Sequence, residues 1–337
     1  MQLARSPRTP STSRASLPSP IHLPLPIHPP APGDYRLSPL ADIPEGGRQE
    51  HAAIFLPPDT IAMVGGIAPD ASAKVAPFSS TDMVQLYSIT NDSWRTVAPL
   101  TKPLNHPNVA AANGKIYRAV TRAVPDSWAY DPATDAWSSI PPPEPARAQA
   151  AVADKNRCRR PFAHVSAFDT DTSAWVTDSL LPAEARHLPE PRDHARAAVV
   201  EGKIYAIGGF NFGGFNQTDS VFILDLDSLE AGWETGAAGM PTPRATYASG
   251  AVGKKIFTIG GEGNSTAQNV VLIKVFDEVE VYDVDSATWT QLSPPSSPRQ
   301  GPGVGVGGKI FIPGGMETAP VGPLSRFDVF VPSDGYY

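Results

Sequence analysis

The chain has a single cysteine, Cys158, so no internal disulfide can form and cysteine usage says nothing of the compartment. Charged residues are scarce, at 18% of 337 positions, and the formal net charge is −7. That leaves no global basic field to attract nucleic acid or an anionic membrane surface. No apolar run approaches the ~20 residues of a membrane-spanning helix. Catalytic signatures are missing as well. There is no G-x-S-x-G elbow, since "GNSTA" (Gly263–Ala267) ends in the wrong residue. No two histidines stand at helical metal-ligand spacing. The acidic stretch "DEVEVYDVD" (Asp277–Asp285) alternates as a strand would and lacks the glycine and dense ligand pattern of a calcium loop.

What is abundant is proline, with 38 residues, and glycine, with 28. That composition suits many short strands joined by tight turns and argues against a helical protein. Residues 1–33 stand apart, with nine prolines, seven Ser or Thr, three Arg and no acidic residue. Proline removes backbone donors and fixes φ, so this leader is expected to be extended and disordered. Its "IHLPLPIH" is too interrupted by proline to serve as a signal-peptide core. Three sequons, at Asn91, Asn216 and Asn264, fall in expected turns or loops and hint at secretion, against the missing signal peptide. The compartment stays open.

The glycines are ordered. "GKIYAIGGF" (Gly202–Phe210) returns as "KKIFTIGGE" (Lys254–Glu262) and "GKIFIPGGM" (Gly308–Met316), and "IAMVGGI" gives a weaker copy upstream. The pairs Gly208-Gly209, Gly260-Gly261 and Gly314-Gly315 are spaced by 52 and 54 residues, and Gly65-Gly66 precedes them by 143. A period near 50 residues is the mark of a repeat architecture. Each copy begins with a strand of Ala, Gly and Val, turns at a glycine as in Glu201-Gly202, and continues as an apolar strand. Glycine there permits the positive φ of a two-residue hairpin. A second pattern follows each hairpin, in which an apolar residue, a polar turn and a tryptophan succeed one another. Examples are "YSITNDSW" (Tyr87–Trp94), "YDPATDAW" (Tyr130–Trp137) and "YDVDSATW" (Tyr282–Trp289), with Trp175 and Trp233 closing two more. Two hairpins make a four-stranded sheet that cannot cover both faces alone and must pack in series.

Glycine pair, aromatic residue before the polar turn, and a Trp about 25 residues after the glycines resemble the kelch repeat, one blade of a β-propeller. The resemblance spans about residues 35–331 and extends to the galactose oxidase/kelch-like propellers. It implies an all-β, six-bladed kelch-type β-propeller, with units beginning near Arg48, Asn105, Arg147, Arg192, Arg244 and Arg299, and a short tail at 333–337. The last unit lacks its Trp strand, and "YRLSPLADIP" (Tyr35–Pro44) matches "WRTVAPLTKP" (Trp94–Pro103), with Tyr35 at the Trp position. The N-terminal strand is therefore expected to complete the last blade and close the ring, which removes exposed edges. Trp-to-Trp spacings of 43 and 38 residues in units two and three, against 58 and 56 later, predict two shortened blades, each short of about one strand. A real deletion and skipped coding sequence both account for them. Cys158 and "KNRCRR" (Lys155–Arg160) lie in that scar and receive no role.

Polar residues recur where each unit begins: Arg48, Asn105, Arg147, Arg192, Arg244 and Arg299, with His51, His106 and His194 close behind. The resemblance places such positions around one mouth of the channel. They either line a binding face, where planar guanidiniums favour carboxylates, or brace neighbouring blades. The glycine pairs end strands rather than feed a helix, so they are structural and not phosphate loops. The reading is a monomeric, non-catalytic scaffold that binds a protein, a peptide or an anionic carbohydrate, with no cofactor and no metal. The resemblance also admits a sugar-active epimerase or oxidase, for which Glu50, His51, His106 and His194 are the available mouth residues. No Tyr-His set accompanies Cys158 to form a copper centre.

Overall fold

The computed structural model describes residues 34–73, 77–119, 126–141, 162–176, 181–211, 216–267, 270–317 and 322–336. The leader 1–33, Arg147, Cys158 and "KNRCRR" lie outside the described residues. Among the described residues the chain is built from strands and three single-turn 3-10 helices, and no helix is long and apolar enough to cross a membrane.

The hairpins form where the turn residues predict. Asn113-Gly114, Glu201-Gly202 and Gly307-Gly308 each carry positive φ at both central positions, 49° and 72°, 48° and 72°, 55° and 74°. That backbone twist matches the twist of the flanking strands. The turns before Trp94, Trp137, Trp175 and Trp289 likewise each hold one residue at positive φ, Asp92, Asp135, Ser173 and Ala287, and Gly232 does so before Trp233. Asp92 and Asp135 use that bend to accept the hydroxyls of Tyr87 and Tyr130, each at 2.7 Å.

Among the described residues, five four-stranded antiparallel sheets result, and together they make an all-β propeller. Unit one comprises Ala52–Leu56, Thr60–Val64, Val84–Ser88 and Ser93–Val97. Unit two comprises Val109–Ala112, Lys115–Arg118, Ser127–Asp131 and Ala136–Ile140. Units four and five follow the same order through Thr235 and Leu292. The last unit, six in the order of the expected starts, gives Val304–Val306, Lys309–Pro313 and Phe327–Pro332, and its outer strand is Tyr35–Pro39. The first strands lie nearest one another, and their small residues are needed there. A Cβ at Gly250 would sit 3.0 Å from the backbone of Gly305 in the next unit. Apolar cores fill the spaces between sheets, for example Leu86, Ile116 and Tyr130 between units one and two. Ile61, Tyr87, Phe311 and Phe327 play the same part between units six and one.

Three expectations need correction. Unit two is not short of a strand: its sheet is complete, with Tyr130 paired to Ile116 and Trp137. The brief spacing reflects a missing glycine pair and a shorter connection between Arg118 and Ser127, not a lost ladder. In unit three the described residues form two-stranded pieces, Phe162–His164 against His187–Arg192 and Phe168–Asp169 against Ala174–Trp175. Second, Tyr35 does not occupy the Trp register. Leu37 pairs with Phe330 as Trp94 pairs with Tyr87. Tyr35 lies two residues away on the same face, because side chains alternate with period 2. From there it stacks on Phe330 at 4.3 Å between centroids. Third, Asn264 belongs to a strand, Glu262–Ala267, and not to a loop.

A bond between units repeats along the chain. The indole Nε1 of Trp94, Trp137, Trp175, Trp233 and Trp289 donates to the carbonyls of Ala41, Ala98, Pro141, Ala185 and Ala238, at 2.7–3.3 Å. Each acceptor belongs to the outer edge of the preceding unit. Tyr35, on the outer strand of unit six, donates its hydroxyl to Ser293 in unit five at 2.9 Å. The residue type differs, but the connection is the same. The tail is used too, since the Tyr336 ring packs edge-on against Phe257 at 5.7 Å.

The glycine pairs make the other inter-unit bond. Gly66, Gly209, Gly261 and Gly315 donate their amides to the carbonyls of Leu104, Arg244, Arg299 and Arg48. The preceding glycine in each pair has φ between 56° and 63°, and a Cβ at Gly260 would lie 2.3 Å from the Arg299 oxygen. Gly260→Ala is therefore expected to destabilise the fold by about 2 kcal/mol or more, from left-handed strain plus backbone clash. Urea denaturation reads this, and an unchanged midpoint would contradict it.

Candidate functional site

The glycine bonds define which residues are equivalent. Because Gly66 selects Leu104 where the other pairs select arginines, the Arg position of unit two is Leu104, and Asn105 stands one place later. Two residues beyond the Arg position come Glu50, His106, His194 and Thr246, all in left-handed backbone with φ of 50–55°. Their amides are stitched together, His106 N–H to Glu50 O, Thr246 N–H to His194 O and Gly301 N–H to Thr246 O, at 2.8–3.2 Å. This bend ends the descent of one unit and turns the chain into the first strand of the sheet. It also brings side chains from separate units to one spot.

The arginines themselves point away from that spot. Arg48 donates to Gly65 O at 2.9 Å and to Gln85 Oε1 at 2.7 Å. Arg244 reaches Gly260 O, Thr258 and the Glu280 carboxylate, the last at 2.5 Å with both side chains fully buried. Arg299 donates to Asp328 and Ile312 O, each at 2.6 Å. Arg192 bonds Ser220 and Glu190 and lies over the Phe222 ring at 4.6 Å. Asn105 is partly buried and donates to Ser80 Oγ at 2.7 Å. His51 is buried, and desolvation followed by the Arg48 charge pushes its pKa down to about 3, so it is neutral.

At the spot where the bends meet, His106 Nε2 lies 2.6 Å from Glu50 Oε2. The His106 ring meets the His194 ring edge-on at 5.0 Å. His194 Nδ1 is 2.8 Å from Asp193 Oδ1, a close but poorly aligned contact. Burial by itself would raise the Glu50 carboxyl, but the charge and hydrogen bond of His106, then His194 and Arg196, hold it down to about 2. For His194, burial works against protonation and Asp193 outweighs it, so its pKa is raised. Glu262 accepts from Thr246 Oγ1 at 2.9 Å, and its pKa is raised by burial and by the nearby Glu50. Arg196 donates Nε–H to Tyr247 O at 3.0 Å. Glu50, His106 and His194 each place one ligand atom within 4.8 Å of the other two.

Comparison with known proteins matches residues 150–330 to the KLHDC2/KLHL20/DRC7 Kelch-repeats domain, more than half of the chain. The chain belongs to the kelch-repeat family. Kelch-like protein terF of Aspergillus terreus is 33% identical over 296 residues, covering 80% of this chain and 61% of its own length. Kelch repeat and BTB domain-containing protein 12 of Homo sapiens is 26% identical over 183 residues, covering 45% of this chain and 29% of that protein. A solved structure of YjhT aligns with TM-score 0.48 and 16% identity, over 88% of this chain and 84% of that one. The chain thus spans about three fifths of the Aspergillus relative and less of the human one.

In this kelch chain the sequence marks Arg48, Arg192, Arg244 and Arg299, and it points to Glu50, His106 and His194 but gives no sign of Arg196, Glu262 or Thr246. The missing signal is the constant offset of two residues from the arginine, which is visible only once Leu104 is aligned with the arginines.

Proposed function

We propose that the chain is a six-unit kelch ring, closed by Tyr35–Pro39, that captures a protein or peptide partner on the face around Glu50, His106 and His194. The observation that carries the ring is the repeated ring-to-carbonyl bond. Five tryptophans and Tyr35 supply six donors to six successive units, and the Gly315 amide links the last unit to Arg48 in the first. Kelch membership supports a protein partner, since such propellers commonly serve as interaction scaffolds. The inward guanidiniums of Arg48, Arg244 and Arg299 weigh against an anionic carbohydrate, because they are buried and most of their donors are bonded to interior acceptors.

Two hairpins rise beside the mouth and are the natural capture surface. Ile67–Pro69 with Phe78–Ser80 is anchored by the Gln49–Ile67 bridge, and Glu262–Ala267 with Val270–Val275 by the Ala245–Glu262 bridge. Loops carried on a rigid scaffold are where propellers place their specificity. Replacing residues 265–272 with an Asn-Gly turn is expected to lower recovery of cross-linked partner from cell extract at least tenfold, with the melting temperature unchanged. Equal recovery after shortening both hairpins would remove the proposal. Turnover of a free sugar, abolished by Glu50→Gln, would replace it with the enzymatic reading.

A further inference from the structure

We propose that Glu50, His106 and His194 form a binding site for one divalent first-row transition-metal ion, with Asn105 and Asp193 orienting the two imidazoles. This assignment stands independently of the partner-binding reading.

The argument starts at Asn105. Its Nδ2 donates to Ser80 Oγ at 2.7 Å, which turns its Oδ1 towards His106 Nδ1 at 2.8 Å. An amide oxygen accepts, so the proton of the imidazole sits on Nδ1 and the lone pair on Nε2. That Nε2 lies 2.6 Å from Glu50 Oε2. Two acceptors at this separation require a cation, which is either a proton or a metal. His194 makes the metal the better match. Its Nδ1 lies close to Asp193 Oδ1, at 2.8 Å though poorly aligned, and one of its ring nitrogens lies within 4.8 Å of the ligand atoms of Glu50 and His106. A histidine whose far nitrogen is held by an oxygen, with the near one facing a shared point, is the usual arrangement around a bound metal.

Charge agrees. Three carboxylates, Glu50, Asp193 and Glu262, surround the point, and Arg196 is the one guanidinium acting on both glutamates there. With neutral imidazoles, the sum is −2, which one divalent ion cancels. Two imidazole nitrogens and one carboxylate leave open positions, and this set suits zinc, iron(II), cobalt(II) or manganese(II) rather than calcium, which prefers oxygen ligands. The ligands lie 56 and 88 residues apart in sequence. No linear motif could announce them.

The test uses the full chain, stripped with chelator, dialysed and titrated with Co(II) by visible absorption and with Zn(II) by calorimetry. The expected result is one equivalent bound per chain, with visible cobalt bands from nitrogen ligation. His106→Gln and His194→Gln, tested separately, should each weaken binding about 100-fold, and Asp193→Asn about 10-fold or more. His187→Gln, at the other histidine pair of the chain, should bind as the unaltered protein does. Circular dichroism confirms folding of each variant, and Glu50→Gln, which keeps the side-chain shape, substitutes for any histidine variant that fails to fold. Absence of saturable binding would overturn the proposal, and so would affinity unchanged in folded His106→Gln and Glu50→Gln. Either result would leave Glu50 and His106 as a proton-bridged pair.

Discussion

A chain that begins at Pro44 is expected to be at least about 5 kcal/mol less stable than one that begins at Asp34, or to aggregate on expression. The five residues Tyr35–Pro39 pair in register with Pro332 back to Asp328, and the connection continues through the Leu40, Ile43 and Arg48 amides. Tyr35 and Leu37 are half-buried against the core of units five and six, and Ile43 is almost fully buried against unit one. Full burial of such a side chain contributes about 1.5–3 kcal/mol, and half-burial proportionately less. Truncation also strips Phe327–Pro332 of its neighbour and leaves an apolar edge open to other chains. Urea denaturation of the two proteins, with light scattering, measures both effects. Equal denaturation midpoints would show that the outer strand does not hold the last unit to the first. A synthetic peptide of residues 34–47 is expected to restore part of the loss.

The second large effect concerns Arg244 and Glu280, which share a hydrogen bond at 2.5 Å with no exposure of either side chain. Arg244→Leu is expected to cost about 3–5 kcal/mol, because a carboxylate is left without its partner in a dry interior. The double variant, Arg244→Leu with Glu280→Leu, should recover most of that loss, since an apolar pair of similar volume avoids desolvating two charges. Unit two already contains such an exchange. Leu104 stands at the arginine position, and Trp128, in the register that Glu280 occupies in unit five, replaces the acid. A double-mutant cycle by urea denaturation gives the coupling. Additive losses would mean that the two charges are held by other groups and that the arginine is no brace.

The repeat was legible because each unit must solve the same two problems. It must turn tightly after a small-residue strand, hence Glu201-Gly202 and its equivalents, and it must wedge a large ring against its neighbour, hence Trp94 through Trp289. The role of Tyr35 was legible as chemistry but not as register. A tyrosine can replace a tryptophan as a ring donor, yet the ladder that sets its place is fixed by Leu37 and Phe330 across a sheet whose two strands are almost 300 residues apart. Unit two looked damaged because spacing counts loops and strands alike. Only the ladder shows that the loss fell on the loop.

The sequence by itself determined the repeat, its strand character and the glycine pairs, arginines and tryptophans of the regular units, because these follow from local turn geometry and from the need of every sheet to cover its faces. Tertiary structure alone decided where the polar groups face. Long side chains at the arginine positions turn inward because buried acceptors await them, on Glu280, Asp328 and Gln85. Two residues further on, a left-handed bend throws Glu50, His106 and His194 towards a common point from three separate units. Convergence of that kind is a property of the way the sheets are arranged in space, and no local stretch of chain contains it.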